Sequence, residues 1–361
     1  MKITAIKFNR TRKKKNKLMI TLISLCFAMI AILFISATNK TNDFLRFFIG
    51  IDFNDPVSVV SNQINIIDYN GMEILQEKET ETIVKAAEEK PAVIPKKKEK
   101  LPVLTLDMHP TVATKGYLAS DGVLVKNHTS LKPNISGLLL TKLSVKSKMN
   151  GPQVLIIHTH ASEAFKPTAS DKYSPSDPSR TQDMNYTVMR VGKEMAYVLN
   201  NAGIETIQDR SVHDYPSYNG SYASALASTK RYLKKYPSIK CVIDVHRDAM
   251  QRKDGTRIKN ITKIDGKSAA QVMIVCGTNQ MGLYHPNWQK NLAFACQFQR
   301  QMNIDYKSFT RPIDLREERF NTQTTNNSII LEIGSVANTL DEAILGGKYS
   351  AESLAKLLKS M

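Results

Sequence analysis

Beyond about residue 103, short apolar segments alternate with amphipathic segments, and this alternation restricts the possible folds more than any other feature of the chain. Apolar runs rich in β-branched residues predict buried strands over 154–157, 204–207, 241–245, 271–277 and 328–333. Helical spacing of apolar residues predicts helices over 188–202, 222–236, 287–302 and again after residue 333. Helices that separate successive strands act as crossovers. We therefore predict an α/β domain with a mainly parallel, twisted sheet and helices on both faces.

An uninterrupted apolar segment lies near the N-terminus. Residues 18–37 contain no charged residue, Gly or Pro, and a helix of that length spans about 30 Å, the thickness of a bilayer core. Residues 1–17 hold eight Lys or Arg and no acidic residue, which predicts that this tail stays in the cytoplasm. The alternative is a cleaved signal peptide, although its apolar core is usually only about 7–15 residues long. Both interpretations place residues 38–361 outside the cytoplasm.

Composition divides the chain into four parts. The stretch 76–102 is highly charged and carries three prolines towards its end, which is typical of a linker. About half of the formal charge of +17 belongs to the N-terminal tail, and we expect no nucleic-acid partner. The predicted parts are a basic cytoplasmic tail, a transmembrane helix, a juxtamembrane region with a charged linker, and an extracytoplasmic domain, at 1–17, 18–37, 38–102 and 103–361.

Strongly polar side chains interrupt or follow three of the most apolar predicted strands. The sequence HTHASE (158–163) follows the first, DVHRD (244–248) ends another, and Glu332 lies near the end of the last. Because ligand sites in such sheets form beyond the carboxyl ends of the strands, we expect these groups to meet. Burying them without partners is costly, so a shared partner is expected.

A zinc ion is the shared partner that these donors fit best. Hydrolytic zinc sites take three ligands from His, Asp and Glu and leave one position for water. We predict that His160, Glu163 and His246 are the ligands, with His158 as the alternative to Glu163.

Further polar residues have predicted roles around the ion. Glu332 is the candidate general base that takes the proton from the attacking water and passes it to the leaving nitrogen. Arg247 is expected to orient a carboxylate or stabilise an oxyanion, and Asp244 or Asp248 to hold a ligand histidine. No GxSxG motif is present, which argues against a serine hydrolase. The remaining histidines beyond residue 103 are expected at the surface, namely His109, His128, His213 and His285.

At these residues the sequence resembles the stage II sporulation protein P family. The resemblance rests on VLIIHTHASEAF, RVGKEMAYVLNNAGI, CVIDVHRDA, QVMIVCGTNQ and IILEIGSVANTLDEA, which begin at residues 154, 190, 241, 271 and 329. It implies an amidase/carboxypeptidase-like fold and a membrane-anchored hydrolase similar to zinc-dependent N-acetylmuramoyl-L-alanine amidases. The family is also associated with endopeptidase cleavage between stem peptides. The resemblance further implies a location in the engulfing septal membrane, action during forespore engulfment, and stage II sporulation proteins D and M as partners.

One segment departs from the wider amidase group. There the second zinc ligand is a Glu shortly before an Asn that opens the first helix, whereas the equivalent residues 180–185 contain no Glu. Either Glu163 substitutes or the site differs. Two alternative functions follow: a zinc carboxypeptidase or endopeptidase that uses Arg247 or Arg311 to bind a carboxylate, and a non-catalytic, wall-tethering scaffold on the same fold.

Overall fold

The computed structural model describes residues 99–110, 115–144 and 150–360. The predicted basic tail, the predicted transmembrane helix and nearly all of the predicted juxtamembrane region lie outside these ranges. Within them, no helix combines the length and the apolar composition needed to cross a bilayer.

Twelve strands and five helices are found in the described part of the chain. The strands are β1 (Leu101–Leu106), β2 (Tyr117–Ser120), β3 (Val123–Asn127), β4 (Val154–Ile157), β5 (Lys172–Tyr173), β6 (Thr206–Gln208), β7 (Cys241–Asp248), β8 (Arg257–Ile264), β9 (Lys267–Ala270), β10 (Val272–Gly277), β11 (Ile313–Arg316) and β12 (Asn327–Ser335). The helices are α1 (Ile135–Leu139), α2 (Val188–Asn201), α3 (Ser221–Lys235), α4 (Trp288–Asp305) and α5 (Leu340–Lys359).

The main sheet has eight strands in the order β2-β3-β11-β10-β12-β7-β4-β6, and it is mixed. Strands β6, β4, β7 and β12 are mutually parallel. Strand β10 is antiparallel to β12 but parallel to β11, which in turn is parallel to β3. The prediction of a mainly parallel sheet was therefore wrong. The physical reason lies between β7 and β10, where the chain forms strands β8 and β9 instead of a crossover helix, so β10 enters the sheet in the opposite direction.

A smaller sheet has four strands in the order β5-β1-β8-β9. Strand β1 lies between β5 and β8, antiparallel to the first and parallel to the second. The β8–β9 hairpin turns at Asp265-Gly266, and the β2–β3 hairpin of the main sheet turns at Asp121-Gly122. All four turn residues have positive φ, from 47° to 76°. Asp-Gly is a favoured pair for such two-residue turns, because Gly adopts positive φ without steric cost.

The core is divided by the main sheet. Alternate residues of its central strands face helices α1, α2, α4 and α5 on one side, where Ile156, Ile243 and Leu331 belong to one large apolar cluster. The intervening residues of the same strands face the other side of the sheet, where Leu155 and Val242 pack with α3. Helices thus cover both faces, as predicted. The α3 side carries the candidate site, because Asp244 and His246 of β7 and Glu332 of β12 face it.

Candidate active site

The structure brings together the three residues that the sequence proposes as zinc ligands. The rings of His160 and His246 meet edge to face with their centroids 5.3 Å apart. The Oε2 atom of Glu163 lies 3.5 Å from Nδ1 of His246. All three residues are buried, with at most 3% of each exposed. Two imidazoles and a carboxylate are therefore buried side by side.

The local fold of β4 and β7 explains this arrangement. Val242, Asp244 and His246 alternate along β7 with apolar residues, so Asp244 and His246 face the α3 side of the sheet. Strand β4 ends at Ile157, and the following turn is fixed by Thr159, whose amide and hydroxyl donate to Asp244 at 2.8 and 2.5 Å. This turn places His160 and Glu163 beside the end of β7.

His158, the alternative ligand, lies away from this cluster. It lies on the α2 side of the sheet, near Gly192 of that helix. Its Nδ1 atom lies 3.2 Å from the carbonyl oxygen of Val245, and its Nε2 atom lies 2.9 Å from the side-chain amide of Gln208. Burial lowers the pKa of His158 to about 4, so the ring stays neutral. Both ring nitrogens already have partners within the core.

Glu332 lies next to His246 on the neighbouring strand. The two residues are register partners in the parallel pair β7–β12, so their side chains share a face. The Oε2 atom of Glu332 is buried and has no hydrogen-bond partner. Burial, with the nearby charges of Asp248 and Glu163, raises the pKa of Glu332 to about 8, although His246 and Arg311 oppose the shift. A carboxyl group with such a pKa can accept and return a proton near neutral pH.

Charged neighbours keep the other carboxylate of the cluster ionised. Burial alone would raise the pKa of Glu163, but His246, Arg247 and Arg180 together hold it well below its usual range. The amide of Arg247 donates to Oε2 of Glu163 at 3.1 Å, and the Arg180 guanidinium lies 3.6 Å from Oε1. Burial lowers the pKa of His160 to about 3, and a neutral imidazole is the form that binds a metal.

Asp244 and Arg247 both contact the proposed ligands. Asp244 forms an ion pair with His246, with 3.0 Å between its Oδ1 atom and Nε2 of the ring, although Nε2 is not in hydrogen-bond geometry. The side chain of Arg247 donates instead to the carbonyl oxygens of Ala164 and Ser179, at 2.9 and 2.5 Å. Its guanidinium thus ties the residue after the proposed ligand Glu163 to the segment around Ser179, which pairs with Glu163 through an antiparallel bridge to Arg180.

Two other polar residues named from the sequence form a pair beside the cluster. Asp248 forms an ion pair of 2.7 Å with Arg311, whose side chain is fully buried. Both residues affect the pKa of Glu332, in opposite directions.

Sequence reasoning missed the aromatic and basic residues around His160. The ring of Tyr218 stacks on His160 with centroids 4.5 Å apart, and Tyr222 meets His160 edge-on at 5.5 Å. Arg180 lies over Tyr218, 4.6 Å from the ring centroid, and also forms an ion pair with Asp214. The loop before α3 contains Pro, Ser, Asn and Gly and has no regular spacing, so the sequence carried no signal for Tyr218.

The expectation that four other histidines lie at the surface was wrong for two of them. His213 and His285 are buried. His213 lies 3.1 Å from Asp209 and 2.9 Å from the hydroxyl of Ser224, and His285 contacts the hydroxyl of Thr322 at 3.0 Å. Their partners come from loops and helix starts, which strand periodicity does not reveal.

The residues around His160 have the chemistry of a zinc site without forming a complete one. Within 99–110, 115–144 and 150–360, no three His, Cys, Asp or Glu side chains form a group that could hold a metal ion as they stand. However, Nδ1 of His160 and Oε2 of Glu332 are buried without hydrogen-bond partners. Such orphaned atoms are rare in cores and call for an unseen partner. The imidazole of His160 is neutral, whereas the carboxylates of Asp244 and Glu163 raise the pKa of His246 well above its usual value although burial opposes the shift. These two imidazoles and the ionised carboxylate of Glu163 are donor types that zinc takes, once His246 has lost its proton.

Comparison with known proteins identifies a family. The family Stage II sporulation protein P matches residues 54–357. A curated relative, stage II sporulation protein P of Bacillus subtilis strain 168, is 26% identical over 215 residues, which are 56% of this chain and 50% of the relative. The chain thus aligns with about half the length of that relative.

Solved structures of amidases resemble the chain only distantly. N-acetylmuramoyl-L-alanine amidase AmiC2 of Nostoc punctiforme has a TM-score of 0.34 and 12% identity, over 58% of this chain and 97% of the amidase. The CwlD amidase of Clostridioides difficile, solved with the GerS lipoprotein, has a TM-score of 0.33 and 12% identity, over 57% and 98%.

Proposed function

The chain belongs to the stage II sporulation protein P family, and from that premise we propose that it is a zinc-dependent peptidoglycan hydrolase. The proposed reaction is cleavage of the amide bond between N-acetylmuramic acid and L-alanine. Cleavage of peptide bonds between stem peptides is a second proposed activity of the same site.

The observation that carries the proposal is the meeting of His160, Glu163 and His246 beside Glu332. The three proposed ligands come from the end of β4 and from β7, and the proposed base comes from β12. His246 and Glu332 are register partners on the α3 face of the sheet, and His160 and Glu163 follow the carboxyl end of β4. When bound, zinc would polarise the scissile carbonyl and lower the pKa of the attacking water.

The residues of the chain supply the proton transfers and the orientation. Glu332 takes a proton from the attacking water and later delivers it to the leaving nitrogen, for which a pKa of about 8 is suitable. Asp244 orients His246. Arg247 donates to the carbonyl oxygen of Ala164, next to Glu163, and to that of Ser179 on the segment that pairs with Glu163. Its proposed role is therefore to position Glu163.

The carboxypeptidase alternative needs an arginine that binds the terminal carboxylate of a substrate. Arg311 is fully buried and pairs with Asp248, and Arg247 donates to main-chain carbonyl groups. These contacts favour cleavage within a larger substrate over removal of a terminal residue.

Family membership also supports proposals about the setting of the reaction. We propose that residues 18–37 anchor the chain in the engulfing septal membrane, that the domain acts outside the cytoplasm during engulfment, and that stage II sporulation proteins D and M are partners. Co-purification of these two proteins with the full chain from detergent-solubilised sporulating cells tests the last point. Recovery of neither protein would contradict it.

The test of the activity is digestion of purified peptidoglycan by the full chain, with and without a chelator, followed by mass spectrometry of the products. We expect release of intact stem peptides that stops with the chelator and returns with zinc. Release of single terminal residues would indicate a carboxypeptidase. Zinc binding without any release would indicate a scaffold.

Two substitutions separate metal binding from proton transfer. Glu332→Gln should retain zinc and lower the rate of cleavage by at least about 100-fold, because a general base contributes about 10²–10⁴ to the rate. His246→Ala should lose zinc as well as activity. Glu194→Gln is the matched control, because it makes the same substitution on α2, where Glu194 forms a partly exposed ion pair with Arg190 and contacts none of the site residues named above. Substantial activity of Glu332→Gln, or unchanged zinc content of His246→Ala, would contradict the assignments.

A further inference from the structure

Helix α3 begins at the candidate site and ends at the opposite end of the main sheet. Tyr222, in its first turn, contacts the ring of His160. The helix then runs for 15 residues, or about 22 Å, towards the starts of β4 and β7. There the amide of Lys240, just before β7, donates to the carbonyl oxygen of Gln153, just before β4. The two ends of α3 therefore lie at opposite ends of these strands.

The end of α3 away from the site is basic. Residues 215–243 contain five Lys or Arg and no Asp or Glu. Four of the five side chains are exposed and the last is half-buried; they are Lys230, Arg231, Lys234, Lys235 and Lys240. The second half of the helix and the loop after it thus present positive charge to solvent.

A further lysine comes from the segment after α1. The side-chain amide of Asn327 donates to the Ser144 hydroxyl at 2.7 Å and to the carbonyl oxygen of Lys240 at 2.9 Å. Lys142, two residues before Ser144, is exposed near this junction. The same end of the sheet carries the exposed Glu205, just before β6. We call the six cations together the basic surface, namely Lys142, Lys230, Arg231, Lys234, Lys235 and Lys240.

The cations on α3 repel one another. Lys230 and Lys234, and likewise Arg231 and Lys235, are four residues apart on one face of the helix, where like charges are destabilising. In the part of the chain that the structure describes, none of these four side chains forms an ion pair with an acidic residue. Two lysines of α5, by contrast, pair with nearby carboxylates. An anion from outside the domain would relieve this repulsion.

An extended acidic polymer matches the basic surface, because its cations are spread over α3, the loop after it and the segment after α1. Peptidoglycan is such a polymer, since stem peptides recur along each glycan strand and a stem that is not cross-linked ends in a carboxylate. His246 lies five residues beyond Cys241, where β7 begins, which is about 17 Å along the strand. A polymer bound at the site can therefore reach the basic surface with a neighbouring stem peptide.

We propose that the basic surface is a second binding surface for peptidoglycan, which attracts the carboxylates of stem peptides other than the one being cleaved. This inference rests on the proposed function. Exposed charges act over about one Debye length, roughly 8–10 Å at moderate ionic strength. The basic surface thereby keeps an insoluble polymer beside the site between successive cleavages.

The test measures binding of the full chain, in a non-ionic detergent, to purified sacculi by sedimentation. A chelator is present, so that binding is measured without cleavage. The test variant carries Lys230→Gln, Lys234→Gln and Lys235→Gln. We expect its affinity to fall by about 3- to 30-fold, since each exposed ion pair contributes little. The difference should vanish at about 1 M salt, where the Debye length is about 3 Å.

The matched control removes the same number of charges elsewhere in the domain, through Lys193→Gln, Lys263→Gln and Lys267→Gln. These lysines are exposed on α2 and on the β8–β9 hairpin, and we expect the control to bind sacculi as the wild type does. Equal affinities of the two variants would overturn the inference, because net charge alone would then govern binding. Release of no stem peptide by the wild type after zinc is restored would instead overturn the proposed function.

Lysine acetylation followed by mass spectrometry locates the contact without any substitution. Sacculi should protect Lys230, Lys234 and Lys235 of the wild-type chain but leave Lys193 and Lys263 as reactive as before. Equal protection of all five lysines would overturn the inference. A membrane surface is the other anion that the wild-type chain can meet. Protection of the three α3 lysines in vesicles of phosphatidylglycerol but not of phosphatidylcholine, with none from sacculi, would assign the basic surface to the membrane and overturn the inference.

Discussion

His158 and His160 are separated by one residue but lie in different environments, because strand β4 ends at Ile157, just before both of them. His158 continues the alternation of Val154 and Ile156 and lies on the α2 side of the sheet. His160 follows the turn and lies on the α3 side, against Tyr218. If the strand had continued, both would share one face. Sequence alone could place both residues near the edge of the sheet, but it could not show where the strand stops.

Gly192 makes room for His158 on helix α2. A Cβ atom at this position would lie 2.5 Å from the His158 ring and 2.9 Å from the side-chain nitrogen of Gln208. Gly→Ala within a helix normally stabilises by about 1 kcal/mol. Here we expect the free energy of unfolding to fall instead by about 1–3 kcal/mol, because the buried ring has to move.

Urea unfolding of Gly192→Ala, followed by circular dichroism, measures this change. Lys193→Ala, at the next and exposed position of α2, is the control and should lie within about 0.5 kcal/mol of the wild type. A Gly192→Ala variant as stable as the wild type would show that His158 is not tightly packed against α2.

At the scale of elements, apolar patterning predicted five strands of the main sheet, missed β2, β3 and the buried strand β11, and predicted no strand of the small sheet. Strand β4 occupies 154–157 as predicted, and α2 ends within one residue of the prediction. Strand β8 has the sequence RIKNITKI and β9 the sequence KSAA. Neither is a continuous apolar run, so apolar patterning did not predict them as strands. The signal that could have revealed this hairpin is Asp265-Gly266, just as Asp121-Gly122 marks the other. Because the β8–β9 hairpin replaces a crossover helix before β10, recognising Asp265-Gly266 as a turn would also have corrected the predicted direction of β10.

The β8–β9 turn gives a prediction at this scale. Gly266 has φ of 76°, and a Cβ atom there would meet nothing within 4 Å. Any cost of substitution therefore comes from the backbone alone. Gly266→Ala should lower the free energy of unfolding by about 1–2 kcal/mol, the cost of left-handed backbone for an L-residue.

Gly266→Asn is the matched variant, because Asn tolerates the left-handed region better than Ala. In urea titrations we expect it to lie between Gly266→Ala and the wild type. Equal stability of all three proteins would show that the turn is not held in the left-handed conformation.

For the molecule as a whole, the site depends on where the three parallel strands β4, β7 and β12 lie in the mixed sheet. They are neighbours, so the rule that sites form beyond the carboxyl ends of parallel strands applies locally even though the whole sheet is not parallel. This explains why sequence reasoning could gather His160, Glu163, His246 and Glu332 from an incorrect overall topology. It could not supply Tyr218 or Arg180, because their positions depend on how two loops fold against each other.

The small sheet is joined to the main one near the end of β12. The hydroxyl of Ser335 donates to the carbonyl of Ile258 on β8 at 2.5 Å, and the side-chain amide of Asn338 donates to Asn260 at 3.0 Å. Strand β1 supports β8 from its other side. Residues 99–106 should therefore contribute to the stability of the whole domain, although they contribute no side chain to the site.

Two fragments test how far the site depends on the N-terminal part of the chain. Residues 99–361 should unfold in one cooperative transition and bind zinc as the full chain does, because every proposed ligand and positioning residue lies between His158 and Glu332.

Residues 107–361 lack β1, so β5 and β8 lose their shared neighbour. We expect a thermal midpoint lower by about 4 °C or more, corresponding to roughly 1–2 kcal/mol in a domain of this size. Zinc affinity should stay within about threefold, since that factor is less than 1 kcal/mol. Equal midpoints for the two fragments would show that β1 is dispensable, and loss of zinc binding by the longer fragment would show that the site needs residues before 99.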